Sequence, residues 1–132
     1  MDNITKESFA GYRVEKAKEA LNSAKLLHKH KDFIGATNRA YYSIFYAMRA
    51  VLALEKKDFR RHKDVVAYFN KKYVSTEIFP KVMGKKITQA QKIREDSDYD
   101  EEYKPSPEKT QIQIDTAKEL IDLVEKYLEN KS

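Results

Sequence analysis

Between Ala36 and Leu54 the chain leaves little polar surface on any side of a helix. Ala36, Ala40, Tyr41, Tyr42, Ile44, Phe45, Tyr46, Ala47, Met48, Val51, Leu52 and Leu54 surround the axis. A helix that is apolar all round has to be buried on several sides. This segment is therefore the expected central helix, covered in part by its own chain and in part by a second copy. Asp32, just ahead of it, has the side chain of an N-cap.

The flanking segments read as the covering helices. Val14, Ala17, Leu21, Ala24 and Leu27 recur at three- and four-residue steps between charged residues, which predicts an amphipathic helix from about Thr5 to His30. After a basic link, Glu55 to Arg61, a shorter helix carries Val65, Val66, Phe69 and Tyr73 on one face. Ser75 or Thr76 is the expected cap of a fourth helix, with Phe79, Val82, Met83, Ile87, Ala90 and Ile93 in register. Pro80 is tolerated only near its first turn, so this helix begins close to it. Gly84 weakens it by about 1 kcal/mol of helix preference. Lys104-Pro105-Ser106-Pro107 then breaks the chain, with Ser106 as N-cap and Pro107 at the first helical position. The last helix presents Thr110, Ile114, Ala117, Ile121, Val124 and Leu128. The fold class that follows is all-α: one domain over 1–132, an antiparallel up-down bundle of four long helices plus one short helix.

Composition narrows the chemistry. No cysteine is present, which removes disulfides, thiolate metal sites and cysteine nucleophiles. His28 and His30 stand two residues apart and so do not share a helix face, and no metal site is expected. Three isolated glycines cannot build a phosphate-cradling loop, no Gly-x-Ser-x-Gly elbow occurs, and no cofactor is implied. The first residues lack the apolar stretch of a signal peptide and no apolar run reaches membrane length, so the cytoplasm is the expected location. The net charge of +5 is unevenly placed. From Lys56 to Arg94 twelve Lys or Arg stand against three acids, a net +9, while the remainder is −4. Such a stretch is either a solvated lysine-rich face or a surface for a polyanion or acidic partner.

Two places retain candidate chemistry. Asn38 and Arg39 lead into the apolar helix, with Tyr42 one turn on. A guanidinium at the edge of a core needs a carboxylate, an aromatic face or a ligand. The second place is Arg94 to Tyr99, where Arg94 and Asp98 are four residues apart and share a helix face. If Arg94 projects into a cleft it can hold a phosphate with two parallel hydrogen bonds. If it only pairs with Asp98, the pair is a surface ion pair worth about 0.5 kcal/mol. Tyr99 and Tyr103 add phenols to a segment with six acids in ten residues.

Three ordered blocks, Ala36-Thr37-Asn38-Arg39-Ala40-Tyr41-Tyr42-Ser43-Ile44-Phe45, then His62-Lys63-Asp64-Val65-Val66 with Phe69 and Tyr73-Val74, then Arg94 with Asp98-Tyr99, resemble the prokaryotic HEPN domain over about residues 10 to 127. The resemblance implies a helical bundle that forms homodimers. It also implies association with a separately encoded minimal nucleotidyltransferase, as a toxin–antitoxin pair. Many members are metal-independent RNases with an Arg followed four to six residues later by His. Arg94 matches the arginine, but Tyr99, Asp100 and Glu101 occupy the permitted histidine positions. Tyr, with a reference pKa of about 10, moves protons poorly at neutral pH compared with imidazole.

The expected site is therefore a binding site for a nucleotide, RNA or a partner nucleotidyltransferase, formed by Asn38, Arg39, Tyr42, Arg94, Asp98 and Tyr99. The alternative is an RNase toxin with a variant site, in which Arg94, Asp98 and Tyr99 are the catalytic candidates, assisted by Asn38 or Arg39. Tyr99 or Tyr103 is the expected acceptor should a partner transferase adenylylate the protein. His62, at the head of the third helix, reads as a capping or packing residue.

Overall fold

A computed structural model describes residues 2–131, with side chains described from residue 9 onward. Its elements are α1 (Asp2–Lys29), α2 (Phe33–Ala53), α3 (His62–Phe69), α4 (Lys81–Tyr99) and α5 (Pro107–Lys131), with a π-helical turn, Asn70–Val74, continuing α3. The fold is all-helical, with no strand among the described residues.

Helix α2 is the hub. It packs on α1, α3, α4 and α5, and α1 and α5 also meet each other. Ala40, Tyr41, Ile44, Met48, Val51 and Leu52 are at most 2% exposed, as expected for a helix with no wet face. The α1 partner face is built from small residues: Ala17, Ala20 and Ala24 are fully buried. Small side chains bring the two backbones close enough for the Ser43 hydroxyl to donate to the Ala17 carbonyl at 2.8 Å. On the opposite side, the buried hydroxyls of Thr37 and Thr110 bond at 3.1 Å and tie α2 to α5.

The helix ends follow local chemistry. Lys31 adopts a left-handed conformation (φ 66°), and Asp32 N–H donates back to the Leu27 carbonyl at 2.8 Å, which closes α1. Asp32 then caps α2 by accepting from Gly35 N–H at 2.9 Å. Any Cβ at Gly35 would stand 2.5 Å from that carboxylate, so the cap needs glycine there. Ser106 caps α5 by accepting from Lys109 N–H at 3.1 Å, with Pro107 at the first helical position.

The start of α4 corrects one expectation. Ser75 and Thr76 do not cap it; their hydroxyls donate back to the carbonyls of Lys71 and Lys72, and α4 starts at Lys81 behind Pro80. The π turn is the physical reason. Ser75 N–H bonds to the Asn70 carbonyl five residues back, which rotates both Tyr73 and Val74 inward and leaves Ser75 and Thr76 on the outside. Phe79 is buried beside Phe69, Tyr73 and Tyr127 and anchors the connection, whereas Val82 is 51% exposed and does not belong to the core register. Glu55 accepts from Tyr68 and Tyr73 and pairs with Lys72, fixing the π turn to the end of α2.

Gly84 is a packing glycine. A Cβ there would lie 2.8 Å from Val74 Cγ1, a stiff side chain that is itself buried. Gly11 has nothing within 4 Å of its would-be Cβ. Gly84→Ala is therefore expected to lose about 1–2 kcal/mol, overpacking outweighing the helix gain, while Gly11→Ala gains up to about 1 kcal/mol. Urea unfolding of the two variants checks this, and equal gains in both would show that the π turn does not press on α4.

Candidate anion-binding cleft

The first turns of α2 face the last turns of α4 across a cleft of about 310 Å³, lined by Asn38, Arg39, Arg94, Ser97 and Asp98 with Leu27, Ile34, Gly35 and Thr37. Two guanidiniums converge on one ring: Arg94 Cζ lies 5.6 Å and Arg39 Cζ 5.7 Å from the centre of Tyr42. Arg94 also lies 5.0 Å from the centre of Tyr41, and its Nη2 donates to the Tyr42 hydroxyl at 3.5 Å. Aromatic faces hold arginine by cation–π attraction while leaving its hydrogen-bonding edge open.

The charge balance of the wall favours an anion. Arg94 Nε is 3.3 Å from Asp98 Oδ2, so the expected ion pair forms, but the alignment is not that of a hydrogen bond and Nε is buried without one. The buried Ser97 hydroxyl likewise lacks a hydrogen-bond partner. Arg39 has no carboxylate partner among the described residues; its contact is the Tyr42 face. Two cations thus share one acid, beside further donors from Asn38 and Ser97.

Of the residues expected from the sequence, Asn38, Arg39, Arg94 and Asp98 line this cleft and Tyr42 supports both arginines. Tyr99 does not line it: it is 87% exposed at the end of α4, because the helical turn that directs Asp98 toward the cleft directs Tyr99 outward. Tyr103 lies beyond the helix, in the connection to α5. Among the described residues, no three His, Asp or Glu side chains gather as a metal site requires.

Sequence reasoning undervalued His62. It does pack, with its ring 4.1 Å from Phe45, but it does not cap α3, whose cap position is Arg61. His62 contacts the same two rings as Arg94, at 5.9 Å from Tyr41 and 5.7 Å from Tyr42. No described residue hydrogen-bonds to its ring nitrogens, and the side chain is half-buried. Desolvation, then the positive charges of Arg94 and Arg49, hold its pKa below the ordinary 6.5. No spacing signal could have found this, since 32 residues separate His62 from Arg94 in the chain. Also missed was the clamp on the α2–α3 connection, where Asp58 receives Arg49 Nη2 at 2.6 Å and Nε at 3.2 Å, with Arg13 at 3.6 Å. Tyr41, by contrast, is sealed: burial pushes its phenol up to about 12, against the opposing pull of Arg94.

A bundle built round a buried apolar helix, with an arginine of α4 seated on its tyrosines, places the chain in a known class. The HEPN domain family model matches residues 10–127, and the chain belongs to that family. It is 34% identical to the Thermotoga maritima UPF0332 protein over 125 residues, 95% of each chain. A Methanocaldococcus jannaschii protein whose name proposes a toxin is 30% identical over 115 residues, covering 87% of this chain and 85% of its own. A second protein of that organism with the same kind of name is 25% identical over 119 residues, covering 90% of this chain and 81% of its own.

His62 should titrate with a midpoint below 6.5 when followed by the NMR shifts of its ring protons, and Arg94→Gln should raise that midpoint. The unfolded chain then takes up this proton first, so stability falls as pH drops through about 6.5, and the loss stops growing, but is retained, once the folded imidazole is protonated. A midpoint at or above 6.5, unmoved by Arg94→Gln, would separate the two residues.

Proposed function

We propose that this chain is a toxin-type HEPN domain whose Arg39–Arg94 cleft binds a phosphate group of a nucleotide or an RNA strand. In this reading the domain is an antiparallel up-down bundle, acts as a homodimer, and is one half of a two-gene toxin–antitoxin-like system with a minimal nucleotidyltransferase as partner. The observation that carries the reading is the pair of guanidiniums on Tyr42, one with no acid of its own and the other with a misaligned one. Arginine held beside an aromatic ring by cation–π attraction has part of its ordering entropy already met before it contacts a phosphate with two hydrogen bonds. The names of the two Methanocaldococcus jannaschii relatives support the toxin role.

A second reading, cleavage of the bound RNA, is favoured by one observation, the open imidazole of His62 on the rings that carry Arg94. A neutral imidazole can accept the proton of a 2′-hydroxyl as its oxygen attacks the adjacent phosphorus. The 2′-O–P bond forms, the P–O5′ bond breaks, and water protonates the departing oxygen. On this reading the histidine that α4 lacks is supplied by α3.

Arg94→Ala is expected to weaken binding of a nucleoside 3′-monophosphate at least about tenfold, the scale of one charge-assisted hydrogen-bonded contact. Arg94→Lys, which keeps the charge and loses the fork, should recover only part of it. Isothermal titration calorimetry checks both, and unchanged affinity in Arg94→Ala would remove the cleft from the account. Incubation of a defined RNA with the purified chain and with His62→Ala separates the readings: loss of cleavage with binding retained supports the second, and no cleavage by the intact chain excludes it.

A further inference from the structure

Of the twelve basic residues between Lys56 and Arg94, only Arg94 lines the cleft. Three others meet elsewhere. An open groove of about 690 Å³ runs between the π turn and the outer face of α4, lined by Lys81, Lys85 and Lys92, by the uncharged polar residues Asn70, Ser75, Thr88 and Gln89, and by Val74 and Gly84. We infer that this groove is a second binding site, for the phosphodiester backbone of a single-stranded polynucleotide.

Helical geometry makes the lysines a track. Residues 81, 85, 88 and 92 recur at four-, three- and four-residue steps, so Lys81, Lys85, Thr88 and Lys92 form one stripe about 16 Å long. Lys92 and Arg94 are two residues apart, about 200° round the axis, so the stripe and the cleft occupy opposite sides of α4. No carboxylate lines the groove. The nearest acids form only loose pairs at its ends, Glu77 with Lys81 and Asp96 with Lys92, each at 3.7 Å, and Lys85 has no partner among the described residues. Exposed pairs of this kind contribute little and exchange readily for a phosphate.

The wall also discriminates between partners. A protein partner would need an apolar anchor at the centre of the surface. No large apolar side chain lines the groove: its apolar residues are Gly84 and the buried Val74, and the carbon surface it does expose includes the stems of its lysines rather than an anchoring side chain. It holds no aromatic ring on which bases could stack, so contact is with the backbone and carries no sequence preference. Gly84 lies close against Val74 in this wall, and Lys81, Lys85 and Lys92 are exposed. This site is independent of the Arg94 cleft and stands or falls without it.

The test is fluorescence anisotropy of the full chain with labelled oligouridylate and oligothymidylate of roughly 12 nucleotides, a span typical of such grooves, at several salt concentrations. The triple variant Lys81→Ala/Lys85→Ala/Lys92→Ala should bind about tenfold more weakly or worse at low salt. Its log affinity against log salt should flatten by about 2, from three lost contacts at ~0.7 each. Equal losses on RNA and DNA identify the phosphodiester itself; a loss confined to RNA assigns the groove to ribose-bearing strands. Arg94→Ala should leave the flattening caused by the triple variant intact. A control removing Lys25, Lys109 and Lys126, exposed on α1 and α5, carries the same charge change. The inference is overturned if the control loses as much as the groove variant, if the groove variant keeps its affinity and slope, or if the intact chain binds neither strand. Lys85→Glu provides a one-residue variant, expected to weaken binding more than Lys25→Glu.

Discussion

Burial of α2 on all but one flank is the constraint from which the rest follows. Its inner surfaces are spent on α1 and α5, with Ser43 bonded to the α1 backbone and Thr37 to Thr110. What remains is an aromatic flank in which Tyr41 and Phe45 are buried while Tyr42 and Tyr46, at its edge, are only half-buried. Arg39, His62 and Arg94 settle against the rings of that flank. The site is thus the unfinished edge of the core. Its cations are oriented by apolar surface, and their polar edges are left open to a ligand.

On the proposed reading, this arrangement lets a bundle without cysteine or a glycine-rich loop and, among the described residues, without a metal-ligand cluster hold an anion. Positive charge beside an aromatic face is only partly neutralised, and a single acid, Asp98, serves the wall. Burial first, then the charges of Arg94 and Arg49, hold the His62 pKa below its ordinary value. Arg94 alone is common to both sets of charges: it lines the cleft, and its charge also disfavours the protonated form of His62. Burial pushes the Asp58 carboxyl up, but hydrogen bonds from Arg49 and the Phe59 N–H and the charges of Arg49 and Arg13 bring it below its ordinary value, and it draws both arginines into a structural role.

Much of the fold could be read in the chain because it rests on local signals. The Asp32 cap, the Ser106–Pro107 start and the unbroken apolar surface of α2 depend on neighbours in sequence, and each has a known backbone consequence. Ser75 and Thr76 misled because an N-cap and a residue bonding back to the preceding turn use the same hydroxyl; the π turn that chose between them depends on burying Tyr73 and Val74 together. Within the site, Arg39 and Tyr42 were legible as a one-turn pair, and Arg94 and Asp98 likewise. That both pairs share one ring, that His62 joins them and that Tyr99 turns away depend on how α3 and α4 dock on α2. No periodicity encodes that docking.

The central claim is that the guanidiniums seated on Tyr42 form a phosphate site. The most direct measurement is a two-dimensional NMR titration of the arginine Nε–H signals, assigned by substitution, with a nucleoside 3′-monophosphate. The Arg94 and Arg39 resonances should shift together along one saturable curve, with Arg13 and Arg49, engaged at Asp58, left in place. Movement of all four in proportion, or of none, would contradict a built site between α2 and α4.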